Sequence, residues 1–301
     1  MTANKPYFTV VIPTYNRAHL IGMTLKSVLT QTFTDFEVIV VDDGGKDDTE
    51  AVVKALGSNK VQYFRKENGE RGAARNYGWQ IANGEYVTFL DSDDLFYADH
   101  LQLAYEFMTQ LQEKPKCFAQ AYEIKDAHTD KVIVSAYQTT QPTINNVLVK
   151  GNILSCFGVF LKTELFEEVK FEEDRHFAGS EDWLLWLQLA ARYPFFYNNA
   201  VSGALLEHDD RSVLSFNEQS LLFRTEHLKQ KLGQDTAFLK TFGPRLLKKI
   251  HAHMLTYSSL HLAMSREKRK AIYYLQQALK TDYKEIFNRR CLAIIKHILF
   301  S

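Results

Sequence analysis

Two carboxylates one residue apart could hold a cation and a ribose together. The run Asp91-Ser92-Asp93-Asp94 directly follows an apolar segment, Tyr86 to Leu90. Mg²⁺ or Mn²⁺ prefers such carboxylate oxygens and keeps coordination positions open for phosphate. Aspartate also caps helices well, so an acidic capping turn is the alternative interpretation of this run.

Residues suited to the rest of a nucleotide come earlier in the chain. Asp42 closes the apolar run Val38 to Val41 and could accept a hydrogen bond from a pyrimidine N–H, while Gly44 allows a tight exit. The run Asn68 to Asn76 is a glycine-containing loop that opens a helix, so its free N–H groups and Arg75 could hold a diphosphate. An ordinary turn and a solvent-exposed helix start are the respective alternatives.

A third group of residues could supply a base and a further metal ligand. Ser180-Glu181-Asp182-Trp183 begins a helix, where Ser180 can cap and both acids suit the positive end of the helix dipole. Helix capping gives no reason for Trp183. A carboxylate base next to an apolar side chain that faces a sugar would supply one. His208 could complete a metal shell through a neutral imidazole nitrogen, although a single loop histidine is usually only solvated.

The pattern of the first hundred residues predicts the sheet that must position these side chains. Short β-branched runs alternate with helical patterns, which is typical of a mostly parallel, doubly wound α/β sheet. The predicted strands are Phe8 to Ile12, Glu37 to Val41, Val61 to Phe64 and Tyr86 to Leu90. Ligands bind at the carboxyl ends of strands in such sheets, so Asp42 and the run from Asp91 should share one rim.

The later chain changes character twice. After a helix at about Asp99 to Gln112, we predict strands at Phe118 to Ile124, Val132 to Tyr137 and Phe157 to Leu161, and then a helix at Glu181 to Arg192. From about Ser215 the chain reads as successive helices, with breaks near Gly233, Gly243-Pro244, Ser265 and Thr281 to Asp282. Two domains follow from this change, an α/β domain at residues 1–215 and a helical C-terminal extension at residues 216–301.

The zero net charge of the 301-residue chain conceals a basic C-terminal region. From Lys240 to Ser301 there are 13 Lys/Arg and 3 Asp/Glu. This balance favours an anionic partner surface, with membrane phospholipid as the first candidate and a solvated helical face as the alternative. No stretch reaches the roughly 18 apolar residues of a membrane span, and Cys117, Cys156 and Cys291 have the wide spacing of buried thiols in a reducing compartment. We therefore expect a cytoplasmic protein, or one held peripherally on the inner face of the membrane.

Five short motifs, taken in order, resemble the family 2 glycosyltransferases over roughly residues 6 to 215. They are Pro13-Thr14-Tyr15-Asn16-Arg17, Val41-Asp42-Asp43-Gly44, Ala74-Arg75-Asn76, Asp91-Ser92-Asp93-Asp94 and Glu181-Asp182. Each motif alone is weak, but the order and spacing of all five are specific. The resemblance implies the nucleotide-diphospho-sugar transferase fold and transfer of a sugar, with inversion, from a UDP-sugar to an acceptor hydroxyl. It also implies a role in bacterial surface polysaccharide synthesis (capsule, exopolysaccharide or lipopolysaccharide), with a glycan or lipid-linked acceptor.

The same resemblance implies roles for individual residues. The positions expected to bind the nucleotide are Thr14, Tyr15, Asp42, Arg75, Asp91 and Ser92. Asp93 would bind Mn²⁺ or Mg²⁺, and His208 is a looser match for a second metal ligand. Asp182 would be the general base, while Glu181 and Trp183 would lie at the acceptor.

Two rival functions stay open at this point. A sugar nucleotidyltransferase has a similar sheet and acidic metal pair, but it usually carries a glycine-rich basic loop after the first strand, and Pro13 to Arg17 offers none. A catalytically silent sugar-binding module could keep the same fold, although Asp93 and Asp182 are both present. We expect no nucleic acid among the partners.

Overall fold

The computed structural model describes residues 5–208 and 218–300, which form two compact units. The first unit contains Met1–Asn145, Asn152–Leu185 and Tyr193–Arg211, and the second contains Asn146–Gly151, Trp186–Arg192 and Ser212–Ser301. The predicted domain boundary at residues 215/216 lies outside the described residues and stays a prediction.

A four-stranded parallel sheet forms the first half of the first unit. Its strands are β1 (Phe8–Thr14), β2 (Phe36–Asp42), β3 (Val61–Arg65) and β4 (Tyr86–Phe89), in the spatial order β3-β2-β1-β4. The helices that connect them are α1 (Ala18–Leu29), α2 (Thr49–Ala55) and α3 (Glu70–Gln80). All seven residues of β1 are buried, as expected for a central parallel strand covered on both faces. The four strands predicted from sequence are confirmed.

The sheet becomes mixed beyond β4. The further strands are β5 (Leu95–Phe96), β6 (Cys117–Asp126), β7 (Val132–Val134), β8 (Val159–Lys162) and β9 (Phe195–Glu207). The order continues as β4-β8-β6-β9-β5, with β8 antiparallel to both neighbours, β9 parallel to β6, and β7 paired with β6. Strands β6 and β7 form an antiparallel hairpin where two strands were predicted, although β7 ends at Val134 rather than Tyr137. Sequence analysis did not predict β5 or β9.

The remaining helices of the first unit lie close to their predicted bounds. They are α4 (His100–Gln110) and the start of α6 (Glu181–Arg192), with short 3₁₀ helices at Cys156–Gly158, Thr163–Glu167 and Arg175–Phe177. The first of these 3₁₀ helices takes the beginning of the strand predicted at Phe157. A short helix, α5, covers Asn145–Leu148.

Four helices make up most of the described part of the second unit. They are α7 (Glu218–Gln234), α8 (Thr236–Met264), α9 (Lys268–Thr281) and α10 (Arg289–Phe300), with a 3₁₀ helix at Tyr283–Phe287. The predicted breaks are confirmed, because α7, α8 and α9 end at these points and Gly243 interrupts α8 with a φ of 77° before Pro244. Leu262, Ala263, Ala271 and Ile294 form a small buried core among α8, α9 and α10. In residues 5–208 and 218–300, no helix has both the length and the apolar content that crossing a membrane requires.

Candidate active site

Thr14 and Asp42 lie side by side at the carboxyl ends of β1 and β2. Asp42 is buried, and its carboxylate accepts hydrogen bonds from the Gly45 N–H at 2.7 Å and the Tyr63 hydroxyl at 2.6 Å. The buried Thr14 hydroxyl oxygen has no hydrogen-bond partner among the residues that the structure describes. Because buried polar atoms are nearly always paired, this hydroxyl marks a position suited to a polar ligand or to water.

The loops that follow β1 and β2 are held together by a hydrogen bond at the carboxyl ends of these strands. Asn16 adopts a left-handed conformation with a φ of 52°, and its side-chain oxygen accepts a hydrogen bond from the Lys46 N–H at 2.6 Å. A Cβ on Gly45 would lie only 2.9 Å from the Asp42 carboxylate, so this close approach requires glycine. The intervening Tyr15 side chain is half exposed, which leaves its ring accessible to a ligand.

Asp43 stands in one of the five motifs without an assigned role, yet it positions the loop that leads into α3. Its buried carboxylate accepts hydrogen bonds from the Lys66 ammonium at 2.8 Å, the Gly69 N–H at 2.9 Å and the Asn68 amide at 3.1 Å. A strand-ending aspartate beside Asp42 is the sequence signal that could have identified it. The interaction fixes the start of the helix that carries Arg75.

The four residues of the acidic run have different environments. Asp94 is buried and its carboxylate accepts a hydrogen bond from the Leu206 N–H at 3.1 Å, so it links the run to β9. Ser92 is buried as well, whereas the side chains of Asp91 and Asp93 keep 36% and 21% of their surface exposed. Asp91 and Asp93 are therefore the two acids of this run that a ligand can reach.

Asp93 and His208 meet through the pairing of β5 with β9. Leu95 pairs with Ala204 in this antiparallel ladder, so residues before β5 lie beside residues that follow Ala204. The His208 Nε2 atom accordingly lies 3.2 Å from an Asp93 carboxylate oxygen. Both predicted metal ligands are thus brought together by two strands that the sequence analysis missed.

The donor set of this pair fits a divalent cation that is shared with a ligand. Among the described residues, no cluster of three or more His, Cys, Asp or Glu side chains could hold a metal ion by itself. Mg²⁺ and Mn²⁺ in phosphate-binding sites typically use one or two protein ligands and complete their shell with phosphate oxygens and water. Asp93 and His208, with 21% and 11% of their side chains exposed, leave room for those further ligands.

Arg75 joins the acidic run to the start of α6. Its buried guanidinium donates to Asp91 at 2.7 Å and to Glu181 at 2.8 Å. Burial opposes the charge, but the carboxylates of Asp91 and Glu181 outweigh it and hold the pKa of Arg75 above its usual value. The buried Nε atom of Arg75 has no hydrogen-bond partner among the described residues.

Two close contacts allow α3 to carry Arg75 to this position. Asn76 both donates to and accepts from the backbone of Phe171, at 2.9 and 3.0 Å, and so ties α3 to the segment before α6. A Cβ on Gly72 would lie 2.3 Å from the Glu172 carbonyl oxygen. Only glycine permits that approach without a backbone shift.

Asp182 has the properties of a base held in place. Its carboxylate accepts a hydrogen bond from the Asn152 side-chain amide at 2.8 Å and another from the Trp183 N–H at 2.7 Å. Desolvation by the surrounding protein and the neighbouring Glu181 carboxylate raise the pKa of Asp182 to about 6. Asn152, which the sequence analysis did not identify, is the only described side chain seen donating to Asp182.

Glu181 and Trp183, which were predicted to contact the acceptor, are both buried. Glu181 accepts hydrogen bonds from Arg75 and, at 2.5 Å, from the N–H of Gly179, whose φ of 93° is left-handed. The neighbouring Arg75 lowers the pKa of Glu181 although burial acts in the opposite direction. The observed contacts of Glu181 are therefore internal, and an acceptor contact through either side chain stays a prediction.

A family model described as Glycosyl transferase family 2 matches residues 9–169, more than half of the chain. The chain belongs to glycosyltransferase family 2. This glycosyltransferase is 26% identical over 305 residues to an uncharacterized glycosyltransferase of Rickettsia typhi, RT0329, covering 99% of this chain and 91% of the relative. It spans only about a third of the length of three further Rickettsia relatives.

Two other comparisons support the same family and its fold. The glycosyltransferase is 30% identical over 182 residues to the Escherichia coli protein WfgD, a UDP-Glc:alpha-D-GlcNAc-diphosphoundecaprenol beta-1,3-glucosyltransferase, covering 60% of this chain and 68% of WfgD. The crystal structure of S. aureus TarS 1–349 in complex with UDP-GlcNAc matches 97% of this chain and 89% of that chain, with a TM-score of 0.70 and 20% identity. The predicted fold class, an α/β sheet of the nucleotide-diphospho-sugar transferase type with a helical C-terminal region, is confirmed.

Proposed function

We propose that the chain transfers a sugar from a UDP-sugar to an acceptor hydroxyl, with inversion at the anomeric carbon. The observation that carries this proposal is the ion network of Arg75, which joins Asp91 at the nucleotide end to Glu181, the neighbour of Asp182. Through that network a nucleotide site and a carboxylate base become parts of one active site.

The donor is proposed to bind along the rim formed by β1, β2 and β4. The unpaired Thr14 hydroxyl and Asp42 suit the nucleobase, the half-exposed Tyr15 ring suits its face, and Asp91 and Ser92 suit the ribose. The WfgD relative uses UDP-Glc, and the TarS structure contains UDP-GlcNAc. These names support a uridine nucleotide for this chain as well.

Asp93 and His208 are proposed to hold Mn²⁺ or Mg²⁺. When bound, the cation would offset the negative charge of the departing diphosphate. Arg75, which is paired with Asp91 and Glu181, is the proposed basic contact of the nucleotide in the same active site.

Asp182 is proposed to act as the general base in a single displacement. It takes the proton of the acceptor hydroxyl while the acceptor oxygen forms its bond to the anomeric carbon, and the bond to the diphosphate oxygen breaks with its electron pair leaving on UDP. Asn152 and the Trp183 N–H hold the carboxylate while this happens. A base with a pKa near 6 is deprotonated at neutral pH and is still basic enough to take a proton.

The proposed acceptor is a glycan or lipid-linked glycan of bacterial surface polysaccharide synthesis. WfgD, by its name, acts on a diphosphoundecaprenol-linked sugar.

A donor screen with an Asp182 variant tests this function. The purified chain is incubated with single UDP-sugars and Mn²⁺, with and without a chelator, and free UDP is measured. General-base assistance is commonly worth about 10²- to 10⁴-fold, so Asp182→Asn should lose most UDP release yet keep its affinity for UDP.

The matched control is Asp130→Asn, because Asp130 is an exposed acid outside the site. A wild-type chain that binds UDP-sugars but releases no UDP would favour the silent binding module instead. If Asp182→Asn turned over at the wild-type rate, the role given to Asp182 would be wrong.

A further inference from the structure

The outer face of α10 is apolar although it is exposed. Leu292, Ile295 and Leu299 expose 68%, 44% and 66% of their surface, and their spacing of three and four residues puts them on one stripe of the helix. Cys291 and Ile294 on another side of α10 are buried. The helix therefore uses one apolar stripe inside the second unit and leaves a second one uncovered.

The 3₁₀ helix before α10 continues this exposed apolar character. Phe287 exposes 84% of its surface, and Tyr283 and Ile286 are also exposed. We define the C-terminal apolar surface as Tyr283, Ile286, Phe287, Leu292, Ile295 and Leu299. Clustered exposed side chains of this kind are uncommon on soluble surfaces and usually mark an interaction site.

The charge around this surface is strongly one-sided. The structure describes every residue from Met264 to Leu299, and the exposed charged residues there are Arg266, Glu267, Arg269, Lys270, Lys280, Lys284, Arg289 and Lys296. Seven of the eight are basic. A second copy of the chain would bring the same positive charge to the interface, whereas an anionic layer would neutralise it.

We propose that the C-terminal apolar surface binds the plane of an anionic phospholipid bilayer. An amphipathic helix that inserts apolar side chains between headgroups while lysines and arginines meet acidic headgroups is the expected mode. Lys284, Arg289 and Lys296 have long stems that can lie along the apolar stripe and keep their charges at headgroup level. The proposal needs neither donor nor acceptor and so stands apart from the proposed transfer activity.

Vesicle flotation of the full chain tests the proposal. Vesicles of phosphatidylcholine mixed with phosphatidylglycerol should float the wild-type chain at low salt, and vesicles of phosphatidylcholine alone should float it much less. The triple variant Leu292→Gln, Ile295→Gln, Leu299→Gln should lose at least about ten-fold in partition coefficient. The double variant Lys284→Gln, Lys296→Gln should lose about five-fold for each lysine at low salt, and less at high salt.

The controls use equally exposed side chains of the first unit. Ile133→Gln tests an exposed apolar residue of β7, and Lys54→Gln with Lys131→Gln tests two exposed lysines. These variants should float like the wild type, and circular dichroism should show unchanged helix content in all of them. UDP release toward a soluble acceptor serves as the separate readout of the transfer activity.

Three outcomes would overturn the proposal. The first is equal flotation of the wild type and the triple variant, and the second is equal binding to neutral and anionic vesicles. The third is a dimer in light scattering that the triple variant turns into a monomer, which would assign the surface to a second copy of the chain.

Discussion

The carboxylate of Asp182 combines two fixed hydrogen bonds with a pKa of about 6. If it is the base, transfer requires its ionised form, so kcat/KM should fall as the pH drops through about 6 and level off above it. A raised carboxyl pKa means that the folded chain favours the protonated side chain, so the cost of this group to folding is absent below about pH 3.8, grows between pH 3.8 and about 6, and is fully present above that range. The acid loss of rate should therefore precede any loss of fold, and a pH series of UDP release with parallel melting temperatures measures both.

Asn152 should influence the pH at which kcat/KM falls on the acid side, which we call the acid limb of the profile. Its amide donates to the Asp182 carboxylate and so stabilises the ionised form. Asn152→Ala should raise the pKa of Asp182, move the acid limb to higher pH and lower the plateau rate modestly through poorer orientation. The measurement is the same pH series.

Asn59→Ala, at an exposed position, is the control for this substitution. An acid limb that keeps its wild-type midpoint in Asn152→Ala would show that Asn152 does not act on the base.

At the scale of elements, strand β9 completes the site, but its sequence lacks a clear strand pattern. Phe195–Glu207 contains Asn198-Asn199 and Ser202-Gly203, which interrupt the β-branched pattern, and its ladder with β6 has register shifts. Strands β1 and β2 were predictable because their valines and isoleucines form runs that are buried on both faces. The two-residue β5 is too short to give any periodic signal.

The same difference separates the site residues that sequence reasoning identified from those it missed. Asp91, Asp93 and Asp182 stand in recognisable runs, so residue type and spacing were sufficient to name them as candidates. The contacts of Arg75 with Glu181 and of Asn152 with Asp182 join residues 106 and 30 positions apart. Such contacts depend on the packing of elements such as α3 and α6, which the local sequence does not determine.

The pairing of β5 with β9 leads to a prediction about metal binding. Asp93→Asn and His208→Ala should each weaken Mn²⁺ binding in the presence of UDP by about 10- to 100-fold, because each removes one of the two proposed protein donors. Titration calorimetry of Mn²⁺ into the chain with UDP gives the affinity without turnover.

His128→Ala removes an exposed histidine elsewhere in the first unit and should leave this affinity unchanged. Wild-type Mn²⁺ affinity in both site variants would place the cation somewhere else.

At the scale of the molecule, we expect the stability of the first unit to depend on the buried guanidinium of Arg75. Arg75 joins the carboxylates of Asp91 and Glu181. If Arg75 were removed, Glu181 would stay buried, and its remaining basic neighbour, Arg71, lies farther away at 4.0 Å. Breaking a buried ion pair by removing one partner costs about 3–5 kcal/mol. Arg75→Met should therefore lower the free energy of unfolding by about that amount in urea denaturation.

The double variant Arg75→Met, Glu181→Gln should recover part of this loss, because the buried charge is removed together with its partner. A single variant as stable as the wild type would show that the network serves ligand binding alone.

The place of β9 inside the sheet also has a consequence for the time course of folding. It lies between β6 and β5, and its parallel pairing joins Cys117 to Phe195. Closing so long a loop costs entropy before the ladder forms, so pairings of this kind are slow. We expect Asp93 and His208 to come together only after β9 has paired with β5, so that the proposed cation site would form late in refolding and a newly made chain would stay inactive until β9 is in place.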